Sequence, residues 1–377
     1  MKKQAAARIL SCAGLAWLVQ AAPAEAQNKQ APITGDIIVR QEWNSGFFTT
    51  PDPVPAHRTR FQIRPRFEIE TQVLRMGVGA DVNYASDDNT KPKDVPLPLK
   101  LIRDNYDSRS IRLDIAYLGL SLSSAIKIDG GRMMMPFRLT EMIWDKDLRI
   151  QGGSGVWTIH QNSAGDPTAR VSGIYSRGSH VFVDSKEPNG SSIGEGVTIK
   201  GGSLDLGYGM GKRVDFSASY LKFENLSYLE TMIRRQNTRV GGSLVREYEV
   251  LDATLRLRTD KPIPIQVIFD GARNRKAPDQ RNGAWATLVL GSLHDSRFRG
   301  EYTYAKVDKD VTVAAYAGDD FFWGTGWVGH RAEIAFAQSP KSSFHVIAQA
   351  QQFKDSPNLA ERTNWVKRLR LEARRTF

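Results

Sequence analysis

The chain has 377 residues, 25% of them charged and 41% hydrophobic, with a formal charge of +11. Mean hydropathy is −0.40, and past the N-terminal segment no apolar run approaches the ~18 residues of a spanning helix, which excludes a helical membrane protein. The length would suggest two or three ordinary domains, but a single closed sheet can also absorb it.

The N-terminus reads as an export leader. Lys2, Lys3 and Arg8 precede an apolar stretch from Ile9 to Val19, and Ala24-Glu25-Ala26 offers small residues where a signal peptidase reads. Residues 1–26 are expected to be cleaved before Gln27, leaving 27–377 as the mature chain. Cys12, the one cysteine, leaves with the leader, so no disulfide, thiolate nucleophile or cysteine metal site is expected. The mature charge is about +9.

Downstream the dominant signal is alternation at period two. Between Arg60 and Glu70, Phe61, Ile63, Pro65, Phe67 and Ile69 fall on one face. Arg60, Gln62, Arg64, Arg66, Glu68 and Glu70 fall on the other. About eleven residues is the length a tilted strand needs to cross a bilayer. Ile111, Leu113, Ile115 and Tyr117 alternate in the same way with Arg112, Asp114 and Ala116. The pattern returns around Val214–Tyr220, Leu251–Arg258, Arg297–Tyr304, Arg331–Phe336 and Arg368–Arg374.

Sixteen strands are predicted near 36–45, 58–72, 75–85, 109–120, 125–133, 168–176, 179–185, 194–206, 212–223, 248–258, 263–273, 283–292, 297–306, 328–338, 343–353 and 365–377. The links alternate long and short. Long ones include Met134 to Thr168 and Asn225 to Glu247; short ones include Arg177-Gly178 and Ser339-Pro340-Lys341. This is the parity of an all-β transmembrane antiparallel barrel in a bacterial outer membrane, with long external loops and short periplasmic turns. The terminal Phe377 resembles the signal read by the barrel-insertion machinery.

Several motifs follow one another in an order that resembles the putative porin family of Gram-negative outer membranes. Gly131-Arg132 through Pro136-Phe137 is similar to its G-R-x-x-x-P-F strand end, and Trp144-Asp145-Lys146-Asp147-Leu148 to its W-D-x-D-L. Pro264 through Phe269-Asp270 to Asn274 resembles a strand ending in G-D-Y-x-x-N, although here Asp270 precedes Gly271. Asp319-Asp320-Phe321 through Gly329-His330-Arg331 resembles a D-S-D-F, glycine-rich, G-H-R stretch, interrupted by Phe322, Trp323 and Trp327. The resemblance spans roughly 60–377 and implies a general porin with no assigned substrate.

Candidate functional residues follow from the polar faces. Arg60, Arg64, Arg66, Arg112, Arg256, Arg258, Arg297, Arg299, Arg368 and Arg370 are expected to line the lumen, where an arginine ring would favour anions. The same side chains could instead brace the wall against Glu68, Glu70, Asp114, Asp252, Glu301 and Glu372. The segment Pro136 to Pro167 is the candidate constriction loop, carrying Arg138, Glu141, Asp145, Lys146, Asp147 and Arg149. Trp43, Tyr84, Tyr117, Tyr220, Tyr302, Tyr304 and Trp365 suit an interfacial girdle. No catalytic motif, Ser/His pairing, metal spacing or nucleic-acid module is evident, and no cofactor is called for.

These observations favour passive diffusion of small hydrophilic solutes, anions above all. Passage of an acidic polysaccharide is the alternative, and an outer-membrane hydrolase or a plugged barrel is more remote. Expected partners are outer-membrane lipid and lipopolysaccharide, anionic solutes and the insertion machinery. Monomer and trimer both stay open, many loop-constricted porins being trimers.

Overall fold

The computed structural model describes residues 33–45, 57–85, 110–161, 167–177, 197–208, 214–226, 237–240, 243–244, 246–260, 263–318, 324–355 and 362–377. The expected leader, 1–26, lies outside the described residues.

Sixteen strands close into one antiparallel barrel. In chain order they are β1 (Ile33–Ser45), β2 (His57–Glu70), β3 (Leu74–Ala85), β4 (Ser110–Ser121), β5 (Ile126–Met134), β6 (Arg149–Gln161), β7 (Pro167–Arg177), β8 (Thr198–Tyr208) and β9 (Val214–Glu224). A two-residue pair, β10 (Arg239–Val240) and β11 (Ser243–Leu244), stands apart from the barrel. The wall resumes with β12 (Tyr248–Thr259), β13 (Ile265–Asn274), β14 (Asn282–Ser292), β15 (Phe298–Val307), β16 (Trp327–Ser339), β17 (Ser342–Gln352) and β18 (Val366–Thr376).

Each strand pairs with its neighbour along the chain, and β1 pairs with both β2 and β18. At that seam Gly35 and Phe377 exchange backbone hydrogen bonds of 3.2 and 3.1 Å. A Cβ on Gly35 would fall 2.6 Å from the Phe377 ring, so the glycine makes room for the terminal aromatic. Phe377 therefore has a structural place at the point of closure.

Period-two burial sorts the two faces. On β18, Arg368, Arg370 and Glu372 are buried inside, while Leu369 and Leu371 are exposed outside. Links at one end are long, such as 86–109, 225–247 and 308–326; those at the other are short, such as 71–73, 122–125 and 340–341.

Three expectations need correction. The sixth wall strand is Arg149–Gln161, within the segment predicted as a loop from Pro136 to Pro167. Its glycines at 152, 153 and 155 break the apolar alternation that marks the other strands. The predicted strand at 179–185 lies outside the described residues. Arg177-Gly178 is not a tight turn between wall strands, because β7 pairs with β6 and with β8, which begins at Thr198.

The second correction is at β4. Gly79 pairs with Ile115 but Ala80 pairs with Leu113, leaving Asp114 as an extra residue. Such a bulge flips the faces beyond it. Ile115 is consequently buried, and Tyr117 bonds Glu68 at 2.8 Å inside the barrel instead of joining the girdle. Arg132 Nε donates to the carbonyls of Leu113 and Asp114 at 3.0 and 2.9 Å, satisfying backbone at the bulge. Third, Arg297 sits in the turn before β15 with φ of 55°, not on the strand.

Gly131 explains the first motif. Its φ is +128°, and a Cβ there would lie 2.3 Å from the Ala116 carbonyl oxygen. Gly131→Val should cost on the order of 1–3 kcal/mol in backbone strain alone. The fraction of refolded protein running as the compact form on an unheated SDS gel should fall accordingly. Gly130→Ala, where a Cβ meets only backbone atoms at 4.0 Å, should refold like the wild type.

Candidate pore site

The segment between β5 and β6, residues 135–148, folds into the barrel and reaches the far wall. Phe137 packs where a Cβ on Gly201 of β8 would be 3.0 Å from its ring. The Arg138 carbonyl accepts a hydrogen bond from Arg256 of β12 at 3.1 Å, and its guanidinium lies 3.7 Å from Asp215 of β9. Thr140 donates to Asp270 of β13. Glu141 lies 3.6 Å from Arg331 of β16, and Asp147 accepts from Arg64 of β2 at 2.5 Å.

A second segment meets it from the β15–β16 link. Trp144 stacks on Tyr316 with ring centroids 5.5 Å apart. Asp145 N–H donates to the Tyr316 carbonyl and Gly318 N–H to the Glu141 carbonyl, both at 2.7 Å. The Asp145 carboxylate accepts from Asp147 N–H at 2.7 Å. Asn237 fastens this second segment from the β9–β12 link. Its Nδ2 donates to the carbonyls of Lys309 (2.6 Å) and Thr312 (3.0 Å), and its Oδ1 accepts from Ala314 N–H (2.8 Å). Val311, Val313, Ala314, Tyr316, Met142, Ile143 and Trp144 join inward-facing Ile199, Leu221, Phe223, Val250 and Trp285 in one buried apolar cluster. Part of the barrel interior is thus a dry core.

Within the candidate loop set, Lys146 is the outlier. Its side chain is 48% exposed, against 17% for Glu141, its partner at 3.3 Å. Arg149, by contrast, opens β6 and is buried, donating to the carbonyls of Lys146 and Leu148 and pairing with Asp114 at 2.7 Å.

The predicted arginines divide into groups. Arg60, Arg368 and Arg370 are fully buried on the inner wall. Arg64 pairs with Asp36 (3.0 Å) as well as Asp147, and Arg66 with Asp114 (2.8 Å). Arg299 pairs with Glu301 and lies 3.5 Å from Glu333. Arg258 is half-exposed, 2.8 Å from Asp260 at the short-turn end. The side chain of Arg112 lies outside the described residues, and Arg297 is on the turn.

Sequence reading named Arg60, Arg368, Arg370 and Glu372 but missed Arg40, Arg58 and Glu42, which lie among them at the centre of the basic wall. On β1, β2 and β18 the arginines Arg40, Arg58, Arg60, Arg368 and Arg370 gather around two carboxylates, Glu42 and Glu372. Glu42 is 2.9 Å from Arg370, 3.7 Å from Arg368 and 3.9 Å from Arg58; Glu372 is 2.6 Å from Arg40. The register sets this arrangement, because Arg40 faces Arg60 on one side and Glu372 on the other. Alternation of Arg40, Glu42 and Asn44 along β1 was the available signal. The short apolar run from Val311 to Ala317, inside a link, was the signal for the second inward segment.

A Ser/His pairing also forms, against expectation. Ser343 Oγ and His345 Nε2 are 2.8 Å apart, and His345 Nδ1 is 2.7 Å from Glu333. Glu333 is held in turn by Arg331 at 2.9 Å. Ser343 pairs with Ala337 on one side and Arg374 on the other, beside a register shift between Ala337 and Ser339. The Ser343, His345, Glu333 and Arg331 side chains thus link β17 to β16 across the inner wall. Among the described residues no group of three or more His, Cys, Asp or Glu could hold a metal ion.

Two cavities adjoin the loop. One, about 470 Å³, is bounded by Arg40, Arg64, Lys146, Lys341 and Arg374 with Asp36 as its carboxylate. The other, about 390 Å³, is bounded by Glu141, Lys146, Arg256, Arg299, Glu301, Arg331 and apolar Trp144 and Trp285. Lys146 borders both.

Trp144→Ala should free the loop from Tyr316 without opening the wall. Deleting a buried tryptophan costs about 3–5 kcal/mol of packing. Single-channel recordings should show larger and noisier steps than the wild type.

Comparison with known proteins agrees with this architecture. Residues 20–175 match the profile of the putative porin family. No curated protein matches the chain. Among solved structures, an alanine-to-lysine variant of the Rhodopseudomonas blastica porin superposes with a TM-score of 0.51 at 9% identity, covering 92% of this chain and 99% of that one. A triple mutant of the same porin gives 0.50 at 10% identity, with the same coverage. The chain therefore carries the sequence signature of the putative porin family over residues 20–175, on a barrel with the porin fold.

Proposed function

We propose that this protein is an outer-membrane porin through which small hydrophilic solutes diffuse passively, anions in preference to cations. Residues 1–26 serve as its export leader, and Phe377 as the residue the insertion machinery reads.

The observation that carries the anion preference is the lining of the 470 Å³ cavity, where Arg40, Arg64, Lys146, Lys341 and Arg374 outnumber Asp36. The apolar cluster of inward segments covers the inner wall from β5 to β16 and reaches Val366 of β18, and the buried arginines gather on β1, β2 and β18. A solute in this cavity meets Arg64, Lys146, Lys341 and Arg374, the more exposed members of its basic lining, beside the buried arginines of the wall. Arginine keeps its charge at all relevant pH values and forks onto carboxylate, sulfate and phosphate. Low-dielectric walls focus that field in the narrow passage.

Small solutes suit this lumen better than a polysaccharide. A sugar chain would want tyrosines laid along its path. Of the inward tyrosines described, Tyr117 bonds Glu68, Tyr248 bonds Asp310 at 2.9 Å, and Tyr316 lies in the apolar cluster.

The test is the zero-current potential of the refolded mature protein in a planar bilayer under a KCl gradient. The wild type should favour chloride, and the preference should weaken as salt rises and the Debye length falls below about 8 Å. Lys146→Glu reverses an exposed charge that borders both cavities, and should shift selectivity toward potassium while leaving the barrel folded. Cation preference in the wild type would refute the anion assignment and leave the porin standing.

A further inference from the structure

We propose that the outer face of the barrel holds one lipopolysaccharide molecule, by a lipid A phosphate and one acyl chain, in a trough over β17. This goes beyond the channel function and does not depend on its selectivity.

The register builds the trough. Residues paired across an antiparallel sheet share a face. One outward row runs Tyr304, His330, Ala350, Lys367 across β15, β16, β17 and β18. The next runs Tyr302, Ala332, Ala348, Leu369 and on to Trp43 of β1. Alanines therefore occupy the middle of both rows, with large side chains on either side. The result is a cavity of about 520 Å³ on the lipid-facing side, bordered by Trp43, Tyr302, His330, Ala348, Ala350 and Lys367.

Its polarity changes along its length. At the upper end stand the Lys367 ammonium and the His330 ring, which is 2.7 Å from the Tyr302 hydroxyl. Toward the middle of the wall the same strands present Val346, Leu371 and Ile334, all lipid-exposed. Among the described residues Lys367 has no anionic partner, unlike outward-facing Lys200 and Lys222, which share Glu224 at 2.7 and 2.9 Å. An amphiphile with an anionic head and a hydrocarbon tail matches that gradient in both charge and depth.

Depth also selects the lipid. Lys367 is the second residue of β18, and Trp43 lies near the end of β1. Both are at the end of the barrel that carries the long links, which face outward in such barrels. Arg273 and Lys306, one residue from the ends of β13 and β15, are exposed at the same level. In a Gram-negative outer membrane that level is the head-group layer of lipopolysaccharide. A lysine there stretches its stem along apolar surface and leaves its charge in the polar layer.

The experiment is native mass spectrometry of the folded mature protein in detergent, titrated with diphosphoryl lipid A. Wild type should retain one lipid A. Ala350→Leu, which fills the floor, and Lys367→Glu, which repels the phosphate, should each weaken retention about tenfold, the loss of one good contact. Phosphatidylglycerol should be held no more tightly than by Ala350→Leu. Both variants should keep wild-type conductance, which separates failure of this site from failure of the channel. Equal retention by wild type and both variants would overturn the proposal. So would equal retention of phosphatidylglycerol, meaning a general anionic-lipid surface, or oligomers lost in Ala350→Leu, meaning that a second copy fills the trough.

Discussion

Hydrocarbon offers the peptide backbone no hydrogen-bond partner, so a sheet in a bilayer must pair its last strand with its first. Everything else in this molecule depends on that closure. β1 meets β18 over ten register pairs, from Asp36 with Thr376 to Ser45 with Lys367. Once the sheet is a cylinder, each side chain is committed to one of two solvents, and a shift by one residue exchanges them. The bulge at Asp114 is a controlled exchange of this kind. It turns Ile115 and Tyr117 inward, and Arg132 compensates the backbone at the break.

Closure alone would leave a wide tube. Among the described residues two chain segments reduce it, and the interior is filled by different physics on different walls. From β5 to β16, apolar residues on inward positions bury Trp144, Tyr316 and their neighbours as a soluble core would. On the side of β1, β2 and β18, buried charge does the filling. Ion pairs in such a setting recover little net energy, because removing the ions from water costs nearly what their attraction returns. Their value there is geometric: Glu42 and Glu372 hold long, buried arginine side chains in fixed positions on the inner wall. The 135–148 segment touches both sides, through Thr140 on Asp270 and through Asp147 on Arg64.

The wall was legible in the sequence because a barrel strand must alternate and its links must differ by end. Fifteen of the expected strands coincide with strands of the barrel to within a few residues. β6 escaped because glycines stand where apolar side chains would have shown its period. The dry core escaped because period two reports which face a residue is on, not what covers that face. On β9 the face with Ser217 and Ser219 continues as Leu221 and Phe223, an inward shift from polar to apolar that marks a covered wall. The motifs shared with the putative porin family become physical once placed. Gly131 needs its unusual backbone, Trp144 stacks on Tyr316, and Asp147 anchors the loop on Arg64.

The stack of Trp144 on Tyr316 joins residues contributed early and late in the chain. Contacts so distant in sequence carry a large loop-closure cost and form after local pairings. Most of the cylinder's wall is built from neighbouring hairpins, whereas its seam joins β1 to β18 and its bore is set by a clasp whose two halves lie 172 residues apart. Calibre therefore belongs with closure among the properties this molecule acquires late. A chain that has paired its hairpins still has both its seam and its bore to complete.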